Sequence, residues 1–296
     1  MHFADDLITA IESKNSRVCV GIDPNGAKFP AEVRPRSDEP RDVIDAFYSF
    51  TLGVLDAVAE HAACVKFQSA YFERYHGEGV EAYFSLISEA KNKGLVVIGD
   101  VKRGDIGATS EAYAAGHLDP MPGDDVATPH AITVNPMLGP DTLEPFCESA
   151  DRNGKGLFVL VRTSNPGSAT LQDVELGDGR TWSELVADEV NVLAKGRVGG
   201  RGWSSVGAVV GATQPHTMER LRTRLPTSIF LLPGYGAQGG TAQTARAAFD
   251  ANGLGGLVSA SRSVTYPTVE AGQSWQSAVA TAAADLREAV NASLGG

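Results

Sequence analysis

The stretch LVVIGDVKRGDIGATSEAY, residues 95–113, joins an apolar run to three charged positions and then to a helical pattern. Residues 95–102 begin as a nearly continuous run of Leu, Val and Ile, which is typical of a parallel strand covered on both faces. Asp100, Lys102 and Asp105 stand at the end of this run, where a plain polar turn is the usual arrangement. The stretch therefore predicts one strand–helix unit of a parallel sheet, with charged side chains at the end of the strand.

The same unit recurs along the whole chain. The predicted strands cover residues 17–23, 63–68, 95–102, 131–136, 157–164, 206–213, 229–234 and 256–263. The predicted helices cover residues 41–61, 79–93, 109–118, 140–150, 181–196, 215–225, 241–253 and 274–292. Eight strands that alternate with eight helices are typical of a (β/α)8 TIM barrel, and an open doubly wound sheet is the alternative.

The chain also predicts an extra helix ahead of the first strand. Residues 3–14 place Phe3, Leu7, Ile8 and Ile11 on one helical face. No linker or change of composition divides the chain, so we expect a single catalytic barrel domain over residues 1–296.

Composition limits the classes of partner. The formal net charge of −11 argues against nucleic acid as the main partner, although a local basic pocket can still bind a small anion. Cys19, Cys64 and Cys147 are far apart and show no CxxC spacing, so we expect buried free thiols. There is no run of eighteen apolar residues, and the N-terminus carries acids where a signal peptide needs bases. We therefore expect a cytoplasmic protein with no membrane partner.

Charged side chains gather at the ends of the first three predicted strands. Asp100 and Lys102 are expected on one face of their strand, about 7 Å apart, because side chains alternate along a strand. Lys66 lies near the end of the second strand and Asp23 ends the first. In a barrel these ends meet at the rim where active sites are built. Because buried charges are costly, we predict a catalytic site here rather than a ring of salt bridges that only caps the barrel.

The pairing of charges bears on the choice between a metal site and a metal-free one. Each carboxylate of the predicted cluster has a lysine neighbour, whereas a Mg²⁺ site prefers carboxylates with fewer competing lysines. The pattern disfavours a metal without excluding it.

Two later stretches predict a phosphate site. LLPGYGAQGG, residues 231–240, supplies glycines after the seventh strand, among them Gly234, and SASRS, residues 259–263, places Arg262 at the end of the eighth. The loops after strands seven and eight are the usual phosphate site of this barrel, and arginine binds phosphate through two hydrogen bonds. The alternative, a glycine-rich stretch that is only a turn, is weakened by the neighbouring arginine.

These stretches together make the sequence resemble the orotidine 5′-phosphate decarboxylase family. The resemblance rests on DVKRGDIG at 100–107, together with GIDP, VKFQ, RTSNPG, LLPGYGAQGG and SASRS in the expected order. It spans almost the whole chain, and the length and the phosphate loop resemble the longer bacterial (type 2) branch. It implies conversion of orotidine 5′-phosphate to UMP and CO2 in pyrimidine biosynthesis, without cofactor or metal, by a homodimer.

The resemblance also implies a role for each matching residue. Lys102 would protonate the carbanion left at C6, and Asp100 would lie near the substrate carboxylate while holding Lys102 charged and oriented. Lys66 would link Asp100 to the ribose, and Asp23 would accept a hydrogen bond from a ribose hydroxyl. Asp105 would reach across the dimer into the neighbouring site.

Five further positions are implied to bind substrate. Thr109 would also act across the dimer, Ser164 would read the pyrimidine amide edge, and Gln238 would bridge phosphate and base. Gly234 belongs to the phosphate loop, and Arg262 would clamp the phosphate. The simpler interpretations are that Thr109 caps the helix after it and that Ser164 is a turn residue.

Two other functions remain open at this stage. One is a related barrel lyase or epimerase that acts on a sugar phosphate, with or without Mg²⁺, because the signature at 100–105 is shared with hexulose-phosphate synthases. The other is a catalytically inactive nucleotide-binding or scaffold protein, which the intact Asp100, Lys102 and Asp105 set argues against.

Overall fold

The computed structural model describes residues 2–121, 128–211, 215–234 and 242–295. Its barrel strands are β1 Val18–Ile22, β2 Cys64–Gln68, β3 Val96–Arg103, β4 Ala131–Val134, β5 Gly156–Arg162, β6 Ser204–Val210, β7 Ser228–Leu232 and β8 Gly256–Ala260. The helices before β4 are α1 Phe3–Ser13, α2 Pro40–Val58, α3 Ser69–Glu73, α4 His76–Asn92 and α5 Gly107–Leu118. The later helices are α6 Glu144–Asn153, α7 Ala169–Gln172, α8 Trp182–Lys195, α9 Pro215–Arg224, α10 Ala242–Ala245, α11 Arg262–Thr265 and α12 Trp275–Ser293.

The strands form a closed barrel in chain order, and every neighbouring pair is parallel, including β8 with β1. The predicted (β/α)8 barrel is confirmed, and the alternative of an open sheet is wrong. Each strand is almost wholly buried because helices cover its outer face and side chains fill the interior. The register sets Gly21 beside Lys66 and Gln68 beside Asp100, so the carboxyl ends of β1, β2 and β3 lie at one rim.

The amino end of the barrel is closed by α1. Phe3, Leu7, Ile8 and Ile11 are buried against side chains that point into the barrel, and the ring of Phe3 meets the ring of Phe158 edge-on at 5.9 Å. Each fully buried side chain of this size contributes about 1.5–3 kcal/mol. The predicted N-terminal helix is therefore part of the core.

The loop after α8 lies against α1 at the amino end of the barrel. The backbone N–H groups of Gly200 and Arg201 donate to the carboxylate of Asp5 at 2.9 and 2.8 Å. A capping box begins α8: the side chains of Thr181 and Glu184 each accept from the other residue's backbone N–H.

The long helix predicted for 241–253 is wrong. In the described part of that segment, α10 spans one turn, a 3₁₀ turn follows over Arg246–Ala248, and the chain then turns at Asp250. One carboxylate oxygen of Asp250 accepts from the N–H groups of Asn252 and Leu254, both at 2.8 Å, and Gly253 has φ +69°. This local turn competes with the helix, as Asp, Asn and Gly commonly do.

No helix among the described residues is long and apolar enough to cross a membrane. The three cysteines are buried free thiols, as predicted.

Candidate active site

Three charged side chains of β2 and β3 are joined at the barrel mouth. Asp100 accepts from Lys66 Nζ through one carboxylate oxygen at 2.7 Å and from Lys102 Nζ through the other at 2.5 Å. Lys66 and Asp100 are buried, whereas 45% of the Lys102 side chain is exposed. Asp100 therefore lies between one lysine of the interior and one that faces the open rim.

The lysines control the ionisation of Asp100. Burial alone raises its pKa, but the charges and hydrogen bonds of Lys66 and Lys102 outweigh burial and hold the pKa at about 2. Burial lowers the pKa of Lys66, but Asp100 and Asp23 overcome this effect and leave it raised. At neutral pH both groups are charged, and each stabilises the ionised form of the other.

The end of β3 departs from a regular strand. Gly99 pairs with Ile132 and Arg103 with Val134, so residues 100–102 of β3 lie opposite one residue of β4. This bulge puts Lys102 at φ +45°, a left-handed conformation that is strained for a residue with a Cβ. Regular alternation does not describe this end of the strand. Asp100 and Lys102 nevertheless meet, because the bulge redirects the Lys102 side chain.

Asp23 is held by a residue from the far end of the chain. Ser261, which follows β8, donates its hydroxyl proton to one carboxylate oxygen of Asp23, and the same hydroxyl oxygen lies 3.1 Å from the carbonyl oxygen of Gly21. A Cβ at Gly21 would lie 2.9 Å from Ser261 Oγ, so only glycine allows this close approach. The other carboxylate oxygen of Asp23 is buried and has no hydrogen-bond partner among the described residues.

A cavity of about 270 Å³ connects this acid to the predicted phosphate site. Its lining includes Asp23, Lys66, Gly234, Ser261 and Arg262. Gly234 has φ +92°, a backbone conformation that favours glycine, and Arg262 begins α11 with an exposed side chain. The Asp23 carboxylate, the Lys66 ammonium group and the Arg262 guanidinium group therefore line one cavity. A carboxylate can accept from ligand hydroxyls and the two cations can bind an anion, so the cavity suits a polar anionic ligand.

The structure does not bring every predicted residue to this cavity. Asp105 lies half-buried after β3, and its carboxylate accepts from the N–H of Ile106 at 2.8 Å without an ion pair to any described residue. Thr109 is exposed in the first turn of α5, and that helix has no side-chain cap, so the interpretation of Thr109 as a cap is wrong. Gln238 lies outside the described residues.

Ser164 is half-buried after β5, where its backbone packs against Gly211 at the end of β6. The loop that carries it is anchored by Arg162, which is 5% exposed. The Arg162 guanidinium forms two parallel bonds to Asp173, at 2.7 and 2.8 Å, and also donates to the carbonyl of Thr163 at 2.5 Å. Because Arg162 fixes this loop, the backbone that carries Ser164 has a defined position.

Two residues that contact the site were missed from the sequence. Ser261 lies within the phosphate stretch SASRS, but no local pattern predicts its contact with Asp23, which spans 238 positions. Thr133 of β4 is buried and its hydroxyl donates to Asp100 at 3.0 Å. A polar residue inside the apolar run AITV was the only available signal.

Comparison with known proteins agrees with this geometry. A sequence model described as the Orotidine 5'-phosphate decarboxylase / HUMPS family matches residues 16–268. The chain belongs to this family.

Relatives within the family match almost end to end. A protein of Rhodopirellula baltica named orotidine 5'-phosphate decarboxylase is 44% identical over 298 residues, which covers 97% of this chain and 98% of the relative. A protein of the same name from Deinococcus radiodurans is 41% identical and covers 99% and 98%. The structure of Leishmania donovani OMP decarboxylase superposes with a TM-score of 0.77 at 31% identity, over all of both chains.

Proposed function

We propose that this protein is a carboxy-lyase that converts orotidine 5′-phosphate to UMP and CO2 in pyrimidine biosynthesis. The observation that carries the proposal is the Lys66–Asp100–Lys102 chain of ion pairs at the barrel mouth of a member of this family. Sequence relatives named orotidine 5'-phosphate decarboxylase match along almost their full length and support it.

The proposed reaction needs a cation at the carbon that loses CO2. When the bond from C6 to the carboxylate breaks, its electron pair stays on C6 in the plane of the ring, where the π-system does not delocalise it. An ammonium group beside C6 stabilises this charge and then donates a proton to it. Lys102 suits this role because its amine is fixed by Asp100 and partly open to the rim. The resulting neutral amine regains its proton from water.

The Asp100 carboxylate would keep Lys102 charged and aligned. With its pKa held at about 2, it stays ionised through the physiological range. We propose that it lies near the substrate carboxylate, as the resemblance implies.

The remaining contacts would bind the nucleotide away from the reacting carbon. The unpartnered buried oxygen of Asp23 supports a hydrogen bond from a ribose hydroxyl, because a buried acceptor otherwise loses its hydration without replacement. Lys66, at the same cavity, would contact the ribose as well. Arg262 and Gly234 would hold the phosphate, together with Gln238, and Ser164 would read the pyrimidine amide edge. Binding energy from the phosphate end would align C6 with Lys102.

We further propose that the working form is a homodimer. Asp105 and Thr109 do not line the cavity of their own chain, and both lie in a region with exposed apolar side chains. Ile106, Met137 and Leu138 are 62%, 63% and 55% exposed on the loops after β3 and β4. A partner that covers these side chains would bring Asp105 and Thr109 into the neighbouring site. A cytoplasmic location, a single domain over residues 1–296 and the absence of a cofactor stay predictions.

The test is a direct assay with purified protein. Ultraviolet absorbance should show consumption of orotidine 5′-phosphate, and the rate should be the same with excess EDTA. A folded protein that leaves this nucleotide unchanged would contradict the proposal. Turnover of a sugar phosphate that EDTA abolishes would favour the metal-dependent lyase or epimerase instead.

A further inference from the structure

The bulge at the end of β3 interrupts the backbone hydrogen bonds between β3 and β4, and one side chain of β4 replaces a missing bond. Between the pairs Gly99 with Ile132 and Arg103 with Val134, β3 advances four residues while β4 advances two. The backbone groups of residues 100–102 therefore cannot all find partners in a regular ladder. Thr133 is the residue of β4 that lies opposite this bulge.

The Thr133 hydroxyl replaces the missing ladder bond. It accepts a hydrogen bond from the backbone N–H of Lys102 at 2.9 Å and donates its own proton to Asp100 Oδ1 at 3.0 Å. These two roles are compatible because a hydroxyl has one proton to give and lone pairs to accept with. Thr133 itself is 1% exposed, so water does not compete for either bond.

Together these contacts form a closed circuit around Lys102. Its backbone N–H bonds Thr133, the Thr133 hydroxyl bonds Asp100 Oδ1, and the same oxygen bonds Lys102 Nζ at 2.5 Å. The backbone N–H of Lys102, through Thr133, and its Nζ, directly, are thus both linked to Asp100 Oδ1. A non-glycine residue at φ +45° is strained and persists only where surrounding contacts hold it in place. The hydrogen bond from the Lys102 N–H to Thr133 is such a contact.

We propose that Thr133 is a positioning residue: it holds the strained Lys102 backbone and the Asp100 carboxylate in the one arrangement that aims the Lys102 amine into the barrel mouth. The inference rests on the proposed decarboxylase function for its kinetic consequence. Its structural consequence does not depend on the reaction. Threonine suits the role better than serine because its branched Cβ restricts the hydroxyl to fewer rotamers.

The decisive variant is Thr133→Val, which keeps the shape of the side chain and removes both hydrogen bonds. Small displacements of catalytic groups can cost about 100-fold in rate, so we expect kcat to fall about 100-fold. KM should change little, because the proposed phosphate contacts lie after β7 and β8. Thr133→Ser, which restores the hydroxyl, should recover most of the lost kcat.

Thr51→Val is the matched control. Thr51 is fully buried in α2, outside the site, and its hydroxyl has no hydrogen-bond partner among the described residues. This variant makes the same chemical change without touching the bulge, and its kcat should equal that of the wild type. If Thr133→Val does not fold, the smaller Thr133→Ala replaces it in the kinetic assay and in the crystal structure.

Crystal structures of the wild type and Thr133→Val give the readout that does not need activity. We expect a changed Lys102 φ and a longer Nζ–Oδ1 distance in the variant. An unchanged Lys102, or a kcat for Thr133→Val equal to that of Thr51→Val, would overturn the proposal, as would a Thr133→Ser variant as slow as Thr133→Val. A wild type that is inactive on orotidine 5′-phosphate but whose Lys102 moves in Thr133→Val would refute the function and leave the positioning role standing.

Discussion

The two ends of the barrel differ in what fills them. At the amino end, α1 seals the interior with Phe3, Leu7 and Ile8, and the contacts are apolar and fully buried. At the carboxyl end, the interior ends in the ion pairs of Asp100, and the backbone is bulged and strained. A sealed apolar end stabilises the fold, and an open charged end remains available for substrate. The fold thus places apolar packing at one end and charged groups at the other, and substitutions at the two ends should differ in how far they change stability or kcat.

The largest effect is expected for Lys102→Ala. Loss of both the cation and the proton donor should reduce kcat by about 10⁴-fold or more. Asp100 loses one of its two ammonium partners but keeps Lys66, and 45% of the Lys102 side chain is exposed, so the melting temperature should fall by no more than a few degrees. Calorimetry and the ultraviolet assay together measure both quantities, and Lys195→Ala on the exposed face of α8 is the control. An active Lys102→Ala enzyme would remove the proposed proton donor.

At the opposite end, Phe3→Ala should act on stability alone. Removing a buried aromatic ring that packs on Phe158 should lower the free energy of unfolding by about 3–5 kcal/mol. The kcat of the folded fraction should be unchanged, because the site lies at the other end. Urea unfolding measures the first quantity. Val192→Ala, at a side chain 68% exposed, should change stability by no more than about 0.5 kcal/mol. A loss of kcat in folded Phe3→Ala would contradict this difference between the two ends.

Arg262→Ala should act on binding at the carboxyl end. Hydrogen bonds to a charged group contribute about 1.5–3 kcal/mol, so we expect KM for the nucleotide to rise about 100-fold. The exposed guanidinium makes no hydrogen bond to described residues, so folding should be unaffected. Arg152→Ala on α6 controls for the loss of a surface arginine. Unchanged kinetics in a folded Arg262→Ala protein would contradict the phosphate assignment.

The smallest effect concerns acid stability. The pKa of Asp100 is about 2 in the folded protein against 3.8 for a free side chain, so Asp100 stabilises the fold at neutral pH. This contribution, about 2 kcal/mol, is present above pH 4 and is lost as the pH falls towards 2. Denaturant unfolding between pH 5 and 2.5 measures it as the difference in pH dependence between the wild type and Asp100→Asn. Parallel pH profiles of the two proteins would show that the pKa of Asp100 is not lowered.

Much of this architecture could be predicted from the sequence because parallel strands buried on both faces have a strong local signal. The apolar runs located all eight strands, and the charges at their ends located Lys66, Asp100 and Lys102. The bulge could not be predicted, because it depends on how β3 pairs with β4 and not on either sequence alone. Ser261 was missed for a similar reason, since its partner Asp23 becomes a neighbour only when β8 meets β1. The prediction of a helix at 241–253 is wrong because the local turn at Asp250 competes with the helical pattern.

The contact between Ser261 and Asp23 has a consequence for how the protein is made. Synthesis runs from the amino end, so the acid of the first strand is translated long before the hydroxyl that holds it. The nascent chain cannot complete the pocket until the eighth strand has left the ribosome and closed the cylinder. Contacts this distant in sequence also form slowly, because the intervening loop must be ordered first. Ligand binding by the growing polypeptide should therefore switch on late and abruptly, with the docking of its last strand.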